Sequence, residues 1–244
     1  MSAFIAVFLR EMLILRRRLK RQISGMAVSP LLYMLTFGYA LGGHLEIDGR
    51  SYLEFLTPGL IAMGSMTQAF SIAADINVAR FYFHIFEEIQ AAPVSALAYV
   101  LGEICAGLIR VLAATLVVIA LGFLFGVGLN YNFYFWLAVA LNGFVFAALG
   151  VALALLVKSH ADQSLLTNFI ITPMAFLGGT FFPLDSLPLW AQHILTLLPL
   201  THAAKLIRAA ALGEAPAPTS FFCLGAAALL FLVLAVFTVK LARD

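Results

Sequence analysis

From Phe133 to Val157 the chain carries no Asp, Glu, Lys or Arg. At 1.5 Å per residue such a helix is long enough to cross a hydrocarbon core about 30 Å thick. One run of this kind could be a buried core helix, but here it recurs. Apolar stretches lie at residues 26–43, 55–76, 97–124, 133–157, 163–182 and 220–240, separated by short polar turns. Charged residues make up 11% of the chain and hydrophobic residues 63%, against about 25% and 45–50% in soluble domains. So few charges cannot cover a water-exposed surface. The sequence therefore predicts one all-α integral membrane domain over residues 1–244 with six transmembrane helices and no sizeable soluble domain. Cys105 and Cys223 each sit in apolar runs and read as small buried hydrophobes, not as a disulfide or metal site.

Basic residues set the orientation, because Lys and Arg are retained on the cytoplasmic side. With six spans and both termini inside, Arg10, Arg16, Arg17, Arg18, Lys20, Arg21, Arg80, Lys158, Lys240 and Arg243 are cytoplasmic. Only Arg50, Lys205 and Arg208 lie outside, and Arg110 falls within the third span. The basic stretch 1–25 followed by an apolar one has the outline of a secretory leader. The apolar run is too long for that, however, and Gly42-Gly43-His44 is a poor cleavage site. Within residues 1–25, Phe4, Val7, Phe8, Met12, Leu15 and Leu19 recur at helical spacing, with Arg10, Arg17, Lys20 and Arg21 largely off that stripe. This predicts an amphipathic helix lying at the membrane interface; the alternative is a plain stop signal.

Several chemistries are excluded. A P-loop needs glycine-rich backbone followed by Lys and Ser or Thr. The nearest string, Gly102 to Gly107, continues as Leu108-Ile109 inside an apolar run. There is no H-E-x-x-H, no G-x-S-x-G and no cluster of histidines and carboxylates at ligand spacing. Histidines 44, 84, 160, 193 and 202 are scattered over loops and helix ends. The chain is expected to have no catalytic, cofactor-binding or metal residues of its own.

Residues 80–93 predict a short helix too polar to span. Phe81, Ile85 and Ile89 share one line, Tyr82 and Phe86 an adjoining one, Glu87, Glu88 and Gln90 form a polar side, and Pro93 ends it. It is either a connector or a docking element for a soluble partner. In the stretch 172–213, Pro173 and Gly178-Gly179 interrupt the fifth span. Asp185 or Ser186 can cap a new helix with Pro188 in its first turn. Leu189, Trp190, Ile194, Leu197 and Leu198 form its apolar side. Pro199 breaks it, and a second helix carries Lys205 and Arg208 to Gly213. An extracytoplasmic loop resting on the bilayer and a re-entrant gate both fit.

Within this stretch Pro173, Phe176, Leu177, Gly179, Phe182, Pro183, Leu187, Pro188, Pro199, Leu200, His202 and Arg208 stand in an order that resembles the signature of the ABC-2 type permeases. These are the membrane subunits of bacterial ATP-binding cassette exporters, and the likeness is to the branch of the nodulation lipo-oligosaccharide exporter and drug-efflux permeases. Glu87, Pro93, Val94 and Ser95 resemble the family's first coupling helix; a Gly-Thr usual ahead of that Glu is replaced in the run His84-Ile85-Phe86. The resemblance implies a half-transporter that pairs as a homodimer in the bacterial inner membrane. Two copies of a separate ATPase subunit, which holds ATP and Mg, would dock on Phe83, Phe86, Glu87, Glu88, Gln90 and Pro93. It also implies an outer gate built from Pro173, Phe176, Gly178, Gly179, Phe182, Pro183, Pro188, Pro199, His202 and Arg208. Membrane lipid is the other expected partner, nucleic acid none, and the cargo is amphipathic, lipid-linked or drug-like.

Three charges fall at membrane depth: Asp75, Glu103 and Arg110. An arginine there costs about 2.5–3.5 kcal/mol on insertion scales, so Arg110 needs a polar cavity or a partner. Asp75 and Glu103 are the candidates, with Glu103 two turns away and stretched. An ion-coupled secondary transporter and a lipid-modifying membrane enzyme are the competing readings. The first often has interrupted helices in both halves of the chain, whereas here the interruption comes once. The second needs converging acids and histidines, which only Asp75, Glu103 and Arg110 approach.

Overall fold

The computed structural model describes residues 3–40, 46–47, 49–83, 85, 88 and 92–242. Among them ten α-helices form one bundle: α1 (Ala3–Tyr33), α2 (Tyr52–Phe70), α3 (Ile72–Phe81), α4 (Ala96–Leu124), α5 (Phe133–Leu156), α6 (His160–Leu166), α7 (Thr172–Leu177), α8 (Leu189–Leu195), α9 (Pro199–Ala211) and α10 (Pro218–Leu241). A two-residue hairpin (Glu46–Ile47 with Arg50–Ser51) precedes α2.

The polar turns act as helix caps. Ser51 and Glu54 form a capping box at α2, Ser95 accepts from the Ala98 N–H at α4, Asn132 from Phe135 at α5 and Ser159 from Asp162 at α6. Each satisfies an N–H that lacks an intrahelical partner. In a membrane such groups have no water to turn to.

Helix α5 lies at the centre, with α2, α3, α4, α9 and α10 packed on it. Its buried face is rich in small residues (Ala147, Ala148, Gly150, Ala152, Ala154). A Cβ at Gly150 would stand 3.1 Å from Ile72 and 3.2 Å from the Phe70 carbonyl. Small residues let backbones approach closely where lipid offers no hydrophobic drive for association. Asn142 on α5 is buried and donates to Ala62 O at 3.0 Å and Ser65 Oγ at 2.7 Å on α2.

Helices α4, α5 and α10 are long and apolar enough to cross a membrane, and they coincide with the third, fourth and sixth expected spans. Among the described residues, the stretches expected as the other three spans hold no helix that is both long and apolar enough. The expected boundary between an interfacial helix (1–25) and a first span (26–43) is absent. Helix α1 runs unbroken through it and passes into a π-helical segment, Met34–Ala40. Nothing between Leu15 and Ser29 breaks a helix, and Pro30 is accommodated inside it. The predicted apolar stripe is also partly a protein seam: Val7 and Leu15 are buried, a Cβ at Gly102 of α4 would meet Val7, and Leu19 is exposed.

The expected second span, 55–76, is split at Ser71, whose hydroxyl donates to Gln68 O at 2.7 Å, a local bond of the kind that bends helices. The expected fifth span, 163–182, is α6, a π segment (Thr167–Ile171) and α7, and it ends at Gly178. Pro173 has no N–H to give to the preceding turn, and Thr172 Oγ1 reaches back to Thr167 O at 3.3 Å. Helices α8 and α9 meet at 94°. Of the two cysteines read as buried, Cys105 is half-buried and Cys223 is exposed on α10, where lipid would face it.

Candidate functional site

The bundle has two ends. The far end carries the starts of α2 and α5 and residues 178–213; the near end holds the end of α3 and the start of α4.

At the far end α7 stops where the Gly178 N–H donates to Met174 O at 2.9 Å. Gly179 then takes φ +79°, a left-handed conformation open to glycine at no steric cost. Its carbonyl faces α9 and accepts from Arg208 Nη2 at 2.8 Å. Arg208 Nε donates to Phe55 O at 3.3 Å, and the guanidinium lies 3.8 Å from the Phe55 ring centroid. A planar guanidinium can do all three at once, as a lysine ammonium cannot. Helix α2 holds the same turn twice more. Tyr52 donates to Phe181 O at 2.7 Å, and Gly59 approaches so closely that a Cβ there would lie 2.4 Å from Thr180 O.

Phe181, at the end of this turn, stacks with Phe176 (centroids 5.4 Å apart) and packs against Tyr33 of α1 at 5.0 Å and Phe37 at 5.4 Å. Adjoining this cluster is a cavity of about 450 Å³ between α1, α2 and the α6–α7 segment. Ser29, Thr67, Ser71, Gln163, Thr167 and Thr172 line it together with aromatic rings, and no charged side chain does among the described residues.

The expected gate residues are thus partly gathered. Pro173 opens α7; Phe176, Gly178 and Gly179 build the turn with Arg208; Phe182 and Pro183 lead from it into a 3-10 turn, Leu184–Ser186. Pro188 precedes α8 and Pro199 opens α9. His202 stands apart: its Nε2 faces Thr196 O at 2.8 Å and its Nδ1 Ser220 Oγ at 3.3 Å, which ties the α8–α9 corner to α10. The expected caps fail. Neither Asp185 nor Ser186 caps α8, and Ser186 Oγ turns back to Pro183 O at 2.6 Å. The cap position falls to Pro188, which has no side chain to accept.

Arg208→Lys is expected to cost about 1–3 kcal/mol, since one ammonium cannot reach both carbonyls and cover the ring. Thermal unfolding of the purified variant checks this; an unchanged midpoint would show that the clamp contributes nothing.

Toward the near end, Arg110 is 2% exposed and fourteen residues before Leu124, about 20 Å below the far end of α4. It pairs with Asp75 of α3, one of the two expected partners. The other is corrected: Glu103 lies 3.9 Å from Arg10 instead. The remaining place beside Arg110 belongs to Glu11 of α1, 3.4 Å away and 3% exposed, with Arg10 at 3.5 Å on its other side. Sequence reasoning missed Glu11 and Arg10. The available signal was an acid at the centre of the apolar line Val7, Glu11, Leu15.

The stretch expected as a docking helix, 80–93, is described only in part, and its first two residues belong to another helix. Arg80 and Phe81 are the last residues of α3, and Arg80 Nη1 donates to Leu155 O and Val157 O at 3.1 and 3.2 Å. A cation there complements the C-terminal end of α5. Phe83, Glu88 and Pro93 are exposed, and the Ala92 N–H donates to Glu88 O at 3.2 Å. Phe86, Glu87 and Gln90 lie outside the described residues.

A family model described as ABC-2 type transporter matches residues 2–212. The chain is 30% identical over 202 residues to the inner membrane transport permease YadH of Escherichia coli K12, covering 80% of this chain and 77% of that one. It is 32% identical over 217 residues to nodulation protein J of Rhizobium meliloti (86% and 82%), and 31% identical over 237 residues to nodulation protein J of Neorhizobium galegae (96% and 90%). A match over most of the length, a bundle of apolar helices, and interruptions at the positions that carry the resemblance lead to one conclusion: the chain belongs to the ABC-2 type transporter family, as a membrane permease subunit.

Proposed function

We propose that this permease is the membrane half of an ATP-driven exporter in the bacterial inner membrane. In this reading the chain crosses six times, with both termini on the cytoplasmic side, and two copies pair as a homodimer. Two copies of a separate ABC ATPase dock at the near end on the segment around Phe83, Phe86, Glu87, Glu88, Gln90 and Pro93. ATP and Mg sit on that partner, membrane lipid surrounds the pair, and nucleic acid has no part.

The observation that carries this reading is the path through α2 and α3. Helix α3 leads directly into the docking segment, and α2 holds the far-end turn through Tyr52 and Gly59. In this reading a push at one end travels along α3 and α2, which meet at Ser71, to the aromatic cluster at the other. The cavity between α1, α2 and α6–α7 supports an amphipathic cargo, lipid-linked or drug-like: hydroxyl and amide groups for a polar head, aromatic faces for an apolar body. The printed name of the Escherichia coli relative, an inner membrane transport permease, supports the location.

Proteoliposomes containing the permease and its co-purifying ATPase are expected to move a fluorescent amphiphile only with hydrolysable ATP. Uphill movement by the permease alone under an ion gradient would instead make it a secondary transporter.

A further inference from the structure

Helix α3 is tied by polar groups to three neighbours. Asp75 meets Arg110 on α4, Asn77 Nδ2 donates to Gln163 Oε1 at 2.9 Å on α6, and Arg80 caps the end of α5. The N-terminal helix joins at the same place through Glu11 and Arg110. Against these ions lies a cavity of about 230 Å³, lined by Arg10, Glu11, Arg18 and Asp75 and also by Phe83 and Ile85 from the segment after α3. The ion network and the root of the docking segment thus line one cavity.

An acid at position 11 is costly. A helix that merely rests on lipid or packs on α4 would do better with Met or Leu there, which would complete the line from Val7 to Leu15. A buried charge holds its partner at one geometry, because separation strands both charges in a medium that solvates neither.

We propose that Glu11 is a positioning residue that locks α1 to α4 and, through Arg110 and Asp75, to α3, so that displacement of the segment after α3 carries the N-terminal helix with it. The source of motion rests on the docking reading above; the lock itself does not. Helix α1 also supplies Tyr33 to the far-end aromatic cluster. Moving it as one body with α3 gives the near end a second route to that cluster.

The test uses Glu11→Gln and Glu11→Met in the whole permease. In nanodiscs without ATPase, Glu11→Gln is expected to speed hydrogen exchange over residues 3–15 while α5 and α10 stay as protected as in the parent. With the ATPase present, both variants are expected to hydrolyse ATP at the parental rate but move about tenfold less cargo per ATP, within the range of known coupling energies. Recovery of parental transport in Glu11→Met would mean that position 11 only packs, and would overturn the lock. Unchanged exchange over 3–15 in Glu11→Gln, or faster exchange throughout the chain, would overturn it too. If the parent shows no ATP-dependent transport, the exporter reading fails and the exchange experiment alone decides the lock.

Discussion

Arg110→Ala destabilises the folded permease by about 3–5 kcal/mol, the usual cost of stranding the partners of a buried ion pair. The substitution removes the only cation that touches both Glu11 and Asp75 among the described residues. Glu11 is left with Arg10, and Asp75, one-third exposed, is left with whatever water reaches it. Membrane insertion should survive, since deleting an arginine makes α4 more apolar. What falls is the fraction of inserted chain that stays packed, seen as early unfolding in detergent and as loss of transport. The triple change Glu11→Met, Asp75→Leu, Arg110→Met separates charge from shape. It removes the ions together and is expected to restore most of the stability, because apolar groups of similar volume often replace a buried ion cluster without loss. Transport should not return with it if the lock operates. A single variant as stable as the parent would show that the network is solvated and contributes little.

Gly59→Ala is expected to be nearly as damaging, though it adds only one methyl group. That carbon would stand 2.4 Å from Thr180 O, 3.0 Å from Thr180 Cα and 3.1 Å from Arg208 Nη2. The first two are backbone atoms of a turn already fixed by Gly179, Tyr52 and Arg208, so they cannot swing aside as a side chain would. Overpacking of this kind typically costs about 1–3 kcal/mol. Here the strain falls on the turn that carries Phe181, so transport should suffer more than stability does. Gly64→Ala is the control: it lies on the same helix with nothing within 4 Å of an added Cβ. A difference in transport between the two, at similar membrane abundance, checks the prediction. Equal transport would show that α2 and the turn separate freely.

Much of this was legible in the chain itself, for a physical reason. Lipid enforces hydrogen-bonded helices and penalises charge, so uninterrupted apolar stretches such as 97–124, 133–157 and 220–240 have few alternatives to a long helix. The polar stretches between them could be read as turns, and in the structure Ser95, Asn132 and Ser159 of those stretches cap the helices that follow. Proline and glycine were equally plain. Pro173 and Gly179 interrupt the fifth stretch, since one lacks a donor and the other takes a left-handed backbone that side chains resist.

What could not be read was which residue meets which across the bundle. The second partner of Arg110, Glu11, came from a helix ninety-nine residues away, in a segment whose periodicity suggested lipid. Asp185 and Ser186 had the right chemistry for a cap but lie three and two residues ahead of the cap position, Pro188. Gly59 looked like one small residue among many in an apolar run, until α2 was seen to lie against Thr180. Periodicity is a property of one helix and its solvent, so the sequence by itself determined the membrane class, the long helices and the end of the fifth stretch at Gly178-Gly179, but not the split at Ser71 or the continuity of α1. Pairing depends on how helices cross, which is settled by the sum of many weak packing contacts. The Glu11–Arg110–Asp75 network and the Arg208 clamp were therefore decided only by the tertiary structure.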